Sequence, residues 1–213
     1  MQPNRKLWQW LGLVFLLSFA ALGWLGREIY LAAPPIPKAV VGAEGRVLFT
    51  GDDVQRGQQA WLSAGGQQLG TVWGHGSYVA PDWSADWLHR EALALRDLLA
   101  RKTYQRDYAT LTAAEQGAVD ASVKVEMRKN TFDADTSTLR VSPERTKAIT
   151  AVAAHYADLF GDAPALESLR DQYAMSDNAL PRAEDRHALT AFFFWSSWSA
   201  ATDRPGEAGL SYT

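Results

Sequence analysis

Cysteine is absent from all 213 residues. Without a thiol there is no disulfide framework, no cysteine nucleophile, no cysteine zinc site and no thioether-attached c-type haem. Charge of one sign is scarce as well, with 21 Lys and Arg against 24 Asp and Glu, a net of -3. No basic run exceeds Asn4-Arg5-Lys6, too little to grip a phosphate backbone, so nucleic acid is excluded as a partner. Histidine is sparse, and His75, His89, His155 and His187 show no metal-ligand spacing. There is no G-x-S-x-G elbow, no phosphate loop, no dinucleotide fingerprint and no internal repeat. On these residues alone a soluble catalytic site is not visible, and the reading would be an exported binding or assembly domain.

What the chain does have is tryptophan and one long apolar run. Nine Trp fall in groups: Trp8, Trp10 and Trp24, then Trp61, Trp73, Trp83 and Trp87, then Trp195 and Trp198. Leu7 to Gly26 carries no charge, and at the helical rise it spans about the 30 Å of a bilayer's hydrocarbon. Trp8, Trp10 and Trp24 lie near its ends, where amphipathic rings favour the membrane interface. Arg5, Lys6 and the free amino group are on one side, whereas Arg27 and Glu28 cancel on the other. The positive-inside bias puts the N-terminus in the cytoplasm and the rest outside. The competing reading is a cleaved signal peptide, with Ser18-Phe19-Ala20 and Ala21 as a small-residue cleavage site. Both readings export the domain. The expected layout is a transmembrane anchor over 1–30, a linker over 31–45 stiffened by Ala32-Ala33-Pro34-Pro35-Ile36-Pro37, and a periplasmic domain over 46–213.

The domain reads as mainly α with minor β. Arg46 to Thr50 suits a short strand, and Asp53 can cap a helix running to about Ser63. Residues 64–80 hold Gly65, Gly66, Gly70, Gly74 and Gly76 and read as ordered loop. A helix follows Pro81, with Asp82, Ser84 and Asp86 at its positive end and an apolar stripe through Trp87, Leu95 and Leu98. Thr112-Ala113-Ala114-Glu115 is a capping box opening another. Ser142-Pro143 opens a third, with core positions Ile149, Val152, Tyr156 and Leu159 and Gly161 as its stop. A shorter helix is expected over Pro164 to Tyr173. The last, Arg182 to Ala201, is apolar nearly all round, which fits a buried or a membrane-surface helix. Its uncharged stretch is too short for a comfortable bilayer crossing.

Two oxygen-rich or aromatic constellations stand out. Asp133, Asp135, Ser137 and Glu144 fall at positions 1, 3, 5 and 12 of a calcium-loop pattern, yet position 6 is Thr138 where glycine is needed, so a turn into a capped helix is the stronger reading. Trp83 and Trp87, four apart, form either a binding face for a peptide or sugar or one buried stripe. The first alternative describes a stand-alone, membrane-anchored periplasmic binding domain with Trp and Tyr surfaces.

A third group of residues is recognisable. The loop Trp73-Gly74-His75-Gly76-Ser77-Tyr78-Val79-Ala80-Pro81-Asp82-Trp83 and Ser84-Ala85-Asp86-Trp87-Leu88-His89-Arg90-Glu91 closely resemble the N-terminal region of quinol-dependent nitric oxide reductases. So do Lys129-Asn130-Thr131-Phe132-Asp133, His155-Tyr156, Ala191-Phe192-Phe193-Phe194-Trp195 and Thr202-Asp203-Arg204-Pro205-Gly206. The resemblance covers essentially the whole chain. It implies a cytochrome c-like helical domain that has lost its haem. Where the family's cytochrome c subunit carries C-x-x-C-H-T-x-x-G-x-G-x-Y, this chain has Gly66, Leu69 and Gly70 in place of both cysteines and the ligand histidine. Thr71, Gly74, Gly76 and Tyr78 are kept. No thioether and no proximal imidazole remain.

The resemblance further implies a calcium ion at a seam with the catalytic portion, faced by the Gly76 carbonyl and the Tyr78 side-chain oxygen. Oxygen donors suit this hard cation. The partner implied is the multi-helix catalytic part of the reductase, which carries haems b, a non-haem iron and the quinol site, with the whole in a bacterial inner membrane. The three histidines and the glutamate that hold the iron have no counterpart here, so this chain by itself is expected not to reduce nitric oxide to nitrous oxide.

Overall fold

The computed structural model describes residues 4–213, and the chain divides into two compact units, 1–35 and 36–213. The first unit is essentially one helix, α1 (Arg5–Ala32), with no buried residue along it. Leu7, Trp8, Trp10, Phe15, Leu16 and Trp24 all present more than half of their surface. A bare apolar helix of 28 residues is about 42 Å long, enough to cross a bilayer.

The second unit is mainly helical, with a small sheet. Its elements are β1 (Ala39–Val41), β2 (Val47–Thr50), α2 (Gly51–Ser63), α3 (Trp83–Tyr104), α4 (Ala113–Arg128), β3 (Phe132–Asp133), β4 (Thr138–Arg140), α5 (Pro143–Leu159), α6 (Glu167–Gln172) and α7 (Ala183–Ala201). The strands run in the order β2-β1-β4-β3, with β1 antiparallel to β2 and parallel to β4. Val40 pairs with Phe49 on one side and Leu139 on the other. The interval 31–45 thus holds the end of α1 and, in β1, a fully buried strand residue, Val40. Its hydrogen-bond partner β4 lies about a hundred residues away in sequence, and a strand of three residues carries too little alternation to betray it.

Most helix starts follow local chemistry. Thr112 and Ser142 cap α4 and α5, each accepting the backbone N–H three residues on. For α2 the cap is Thr50, not Asp53. Asp53 is the third helical residue, and its carboxylate reaches back to the Thr50 N–H at 2.9 Å to complete a capping box. At the other end of α5 the last helical residue is Leu159, with Phe160 as cap, and Gly161 keeps an ordinary backbone conformation. The stretch Pro164 to Tyr173 is a 3₁₀ turn followed by the short α6.

Helix α7 is the centre of the domain. Every residue from Ala188 to Ser199 is buried, which settles the choice between a buried and a surface helix. It crosses α2 so closely at Gly57 that an added Cβ would overlap the Ala188 carbonyl oxygen and sit 2.6 Å from the Phe192 Cβ. Its own Phe193 and Phe194 are fully buried, as are Trp83, Trp87, Tyr156 and Phe160. The stretch after α7 has no regular element, but it folds back: the Tyr212 N–H donates to the Ser199 carbonyl, and Arg128 holds Asp203 at 2.6 Å.

Candidate functional site

The glycine-rich loop between α2 and α3 is built on one carboxylate. Asp82 caps α3, its Oδ1 accepting the Ala85 N–H at 3.0 Å and the Ser84 hydroxyl. Its Oδ2 accepts the Thr71 hydroxyl at 2.8 Å and the Gly74 N–H at 2.6 Å. Burial alone would raise the Asp82 carboxyl, but hydrogen bonds from Ser84, Gly74, Thr71 and Ala85 outweigh it and hold the group below its usual range. The Thr71 hydroxyl also accepts the Gly76 N–H at 2.9 Å. The Thr71 carbonyl takes the Trp83 N–H at 2.8 Å. Ser77 closes the tip, its hydroxyl donating to the Leu69 carbonyl at 2.9 Å.

This arrangement explains why threonine and both glycines stand where they do. Thr71 bridges Asp82 to the loop tip, and Gly74 lies so close to it that a Cβ would come 2.8 Å from the Thr71 hydroxyl. Gly76 has φ +85°, a conformation that side chains disfavour. Trp73 takes a left-handed backbone too, with φ +55°. The Ser84 hydroxyl accepts its N–H, and its indole donates to the Ser196 carbonyl of α7 at 2.7 Å. Asp82 and Ser84, read from the sequence only as residues at the positive end of a helix, turn out to organise the loop. The signal was their place directly after the glycines, but a helix cap already accounted for it.

Gly70 has no space for any side chain. A Cβ there would overlap the Trp83 indole and come 2.8 Å from the Pro81 carbonyl oxygen. Trp83 is fully buried and packs on Phe193, Phe160, Tyr156 and Tyr173, with ring centroids 5.5 to 6.1 Å apart. Leu69 is buried beside it, and the Gly70 carbonyl accepts the Trp61 indole N–H at 3.1 Å. An imidazole at position 70 and a tetrapyrrole beside it do not fit this packing. The residues present do not suit a haem.

Of the two proposed calcium donors, the Tyr78 side chain is fully exposed, and among the described residues no hydrogen bond is made to the Gly76 carbonyl. Both oxygens are therefore available at one loop tip. Calcium takes 6–8 oxygens, and among the described residues no cluster of three His, Cys, Asp or Glu could hold a metal. These two oxygens are too few to hold calcium by themselves.

The Asp133 group is drawn apart. Asp133 closes the β3–β4 turn by accepting the Asp135 N–H and the Thr136 hydroxyl. Glu144 sits in α5, paired with Lys102 at 2.8 Å. Trp83 and Trp87 form the buried stripe, not a binding face. The tryptophans that do reach a surface groove are Trp61, Trp73 and Trp195, lining a concavity of about 230 Å³ with Ile36, Val54 and Phe192.

A second polar group lies inside the aromatic core. Tyr156 donates to Asp86 Oδ2 at 2.5 Å, and Arg90 donates to the same oxygen at 2.8 Å. Burial, then the Asp86 charge, pushes the Tyr156 phenol far above its ordinary range. Next to it, burial and then Arg90 hold the His155 imidazole low. One turn on, Glu91 and Arg145 form an ion pair at 2.7 Å with both side chains inaccessible, and the Trp87 indole donates to Glu91 at 2.8 Å.

No individual curated protein matches the chain. Residues 37–213 match the family described as the NorB cytochrome c-like domain of nitric oxide reductase. The match begins at the start of the second unit and runs through the glycine loop, the aromatic core and α7. The chain therefore belongs to the family of NorB cytochrome c-like domains of nitric oxide reductase.

Proposed function

We propose that this chain is the N-terminal part of a quinol-dependent nitric oxide reductase, in which α1 anchors a haem-free cytochrome c-like domain onto the catalytic portion. The parent reaction joins two nitric oxides, two electrons and two protons into nitrous oxide and water. The chain's own contribution is structural. The family match over 37–213 supports the membership, and the packing of Trp83 against Gly70 is the observation that supports the absence of haem. The proposed topology is N-terminus in the cytoplasm, α1 in a bacterial inner membrane and the second unit, from residue 36 on, in the periplasm. This follows the charge bias around α1.

At the loop tip, Gly76 and Tyr78 would supply a carbonyl and a phenol oxygen to calcium. The ion would contribute charge neutralisation and cross-linking at the seam, with its remaining ligands on the catalytic portion. The chain's part is to present both oxygens on a loop that Asp82 makes rigid.

The test is the purified reductase and its Tyr78→Phe variant. Full-length enzyme should release less calcium to a chelator before losing activity than Y78F does, and Y78F should need added calcium to keep its turnover. An unchanged calcium requirement in Y78F would remove the site. A Soret band in this chain alone would overturn the haem-free reading.

A further inference from the structure

Tyr156 is the buried tyrosine among the described residues, and its proton goes to a carboxylate. Its hydroxyl is buried, yet it meets a carboxylate, Asp86 Oδ2, at 2.5 Å. Placing a carboxylate against a buried phenol is costly to folding unless the pair is well bonded, and an apolar residue would pack with less penalty. The ring lies flat on Trp87, with centroids 5.3 Å apart and an interplanar angle of 5°. It also meets Trp83 edge-on at 6.1 Å. Trp83 in turn touches Tyr173 at 5.9 Å, and Tyr173 is only half-buried. An unbroken run of oxidisable rings therefore leads from the surface at Tyr173, through Trp83, to Tyr156 and Trp87.

We propose that Tyr156 is a redox-active tyrosine, the resting place for an oxidising equivalent that enters at Tyr173, with Asp86 as its proton acceptor. The oxidant is a one-electron oxidant of the nitrogen dioxide class, which forms from nitric oxide and dioxygen. One electron leaves the chain and reduces nitrogen dioxide to nitrite. The Tyr156 O–H bond breaks, the proton passes to Asp86 Oδ2, and a neutral tyrosyl radical and an Asp86 carboxylic acid remain. No bond to the oxidant forms.

The geometry says why the equivalent stops at Tyr156. Burial and then the Asp86 charge raise the Tyr173 phenol while Arg90 lowers it, but among the described residues its hydroxyl makes no hydrogen bond to a carboxylate, as that of Tyr156 does. Trp83 has a buried indole N–H with no partner among the described residues, so its radical cation has nowhere to discharge. The Trp87 N–H also reaches a carboxylate, but the Glu91–Arg145 pair is sealed on both sides, whereas the Asp86–Arg90 pair is partly open to solvent. Tyr156 is the ring in this run whose acidic proton faces a carboxylate bound to a partly exposed arginine. Its strongly raised phenol keeps the proton on until the electron is taken, so the two must leave together. The proposal stands apart from the calcium and quinol readings, since it uses neither.

The experiment is photochemical oxidation of the full chain, purified in detergent, by a flash-generated ruthenium(III) complex, read by electron paramagnetic resonance and transient absorption. Wild type should give a tyrosyl radical whose formation slows in deuterium oxide. Tyr156→Phe should lose it, and Asp86→Asn, which keeps the ring but not the acceptor, should lose most of it. Tyr108→Phe should leave it intact, although Tyr108 also donates to a carboxylate, Asp120, at 2.9 Å on the surface. Near-ultraviolet circular dichroism identifies variants that keep the core packed. If the radical survives in a folded Y156F, or disappears in Y108F, the assignment is wrong. Equal yield and rate in a folded D86N would remove Asp86 from the step.

Discussion

At Gly57 a single missing side chain sets how closely two helices approach. Any Cβ there runs into the α7 backbone at Ala188, and close-packed interiors have no slack to absorb it. Gly57→Ala should cost about 1–3 kcal/mol by forcing α2 and α7 apart, seen as a lower urea midpoint with an unchanged slope. Asp82 makes a prediction of a different kind. Its folded carboxyl lies below the usual range, so its contribution is present above the unfolded pKa and is lost as pH falls through the lowered value. Asp53, held down by Thr50 and Arg56 against the opposing effect of burial, behaves the same way. The melting temperature should fall steadily as pH drops below about 4. Asp82→Asn should be less stable at pH 7 and show a shallower acid slope, because the titrating group has gone. Both curves come from calorimetry across pH.

The element scale shows where sequence reading succeeds. Thr112-x-x-Glu115 and Ser142-Pro143 name their helices because a cap acts over three residues and needs nothing distant. The same locality misled at α2: Asp53 is a good cap type, but Thr50 three residues earlier takes the cap and leaves Asp53 as its partner. Trp83 was legible with Trp87 as either a binding face or one buried stripe, whereas its contact with Gly70 was not legible, since no periodicity encodes which glycine a buried indole will face. The loop tip at Gly76 and Tyr78 was recognisable only through family likeness, because exposed oxygens leave no pattern in composition. Between α3 and α5 the hidden element is the Glu91–Arg145 pair. Glu91→Ala should cost about 3–5 kcal/mol by stranding a buried guanidinium. The double variant Glu91→Leu with Arg145→Met should recover most of that loss, and a double-mutant cycle in urea measures it.

For the whole molecule, an apolar helix and a water-compatible domain share one chain. The 28 residues of α1 bury nothing within their own unit, so their apolar surface has to be covered by lipid or by other protein. Membranes washed at high pH should retain the full chain, and a variant with Arg at Leu16 and Phe19 should be released into the wash. The cost of about 2.5–3.5 kcal/mol for each mid-helix arginine sets the direction of that result. Retention of the double-arginine variant would mean that the domain, not α1, holds the chain to the membrane.

The parallel pairing of β1 with β4, and the clasp of α2 on α7, also govern the order in which the domain is made. Val40 has to wait for Leu139, and Gly57 for Ala188, before either contact can form. Long-range closures of this kind slow folding, because loop entropy is lost before the contact compensates for it. On the ribosome, α1 emerges before the domain, and the helix that completes the core comes after all the others. The long intervening stretch, rich in tryptophan and phenylalanine, must stay unassembled until then. A chaperone that shields aromatic segments should therefore be needed most while α7 is still inside the ribosome, and a ribosome stalled before residue 188 should carry a protease-sensitive chain.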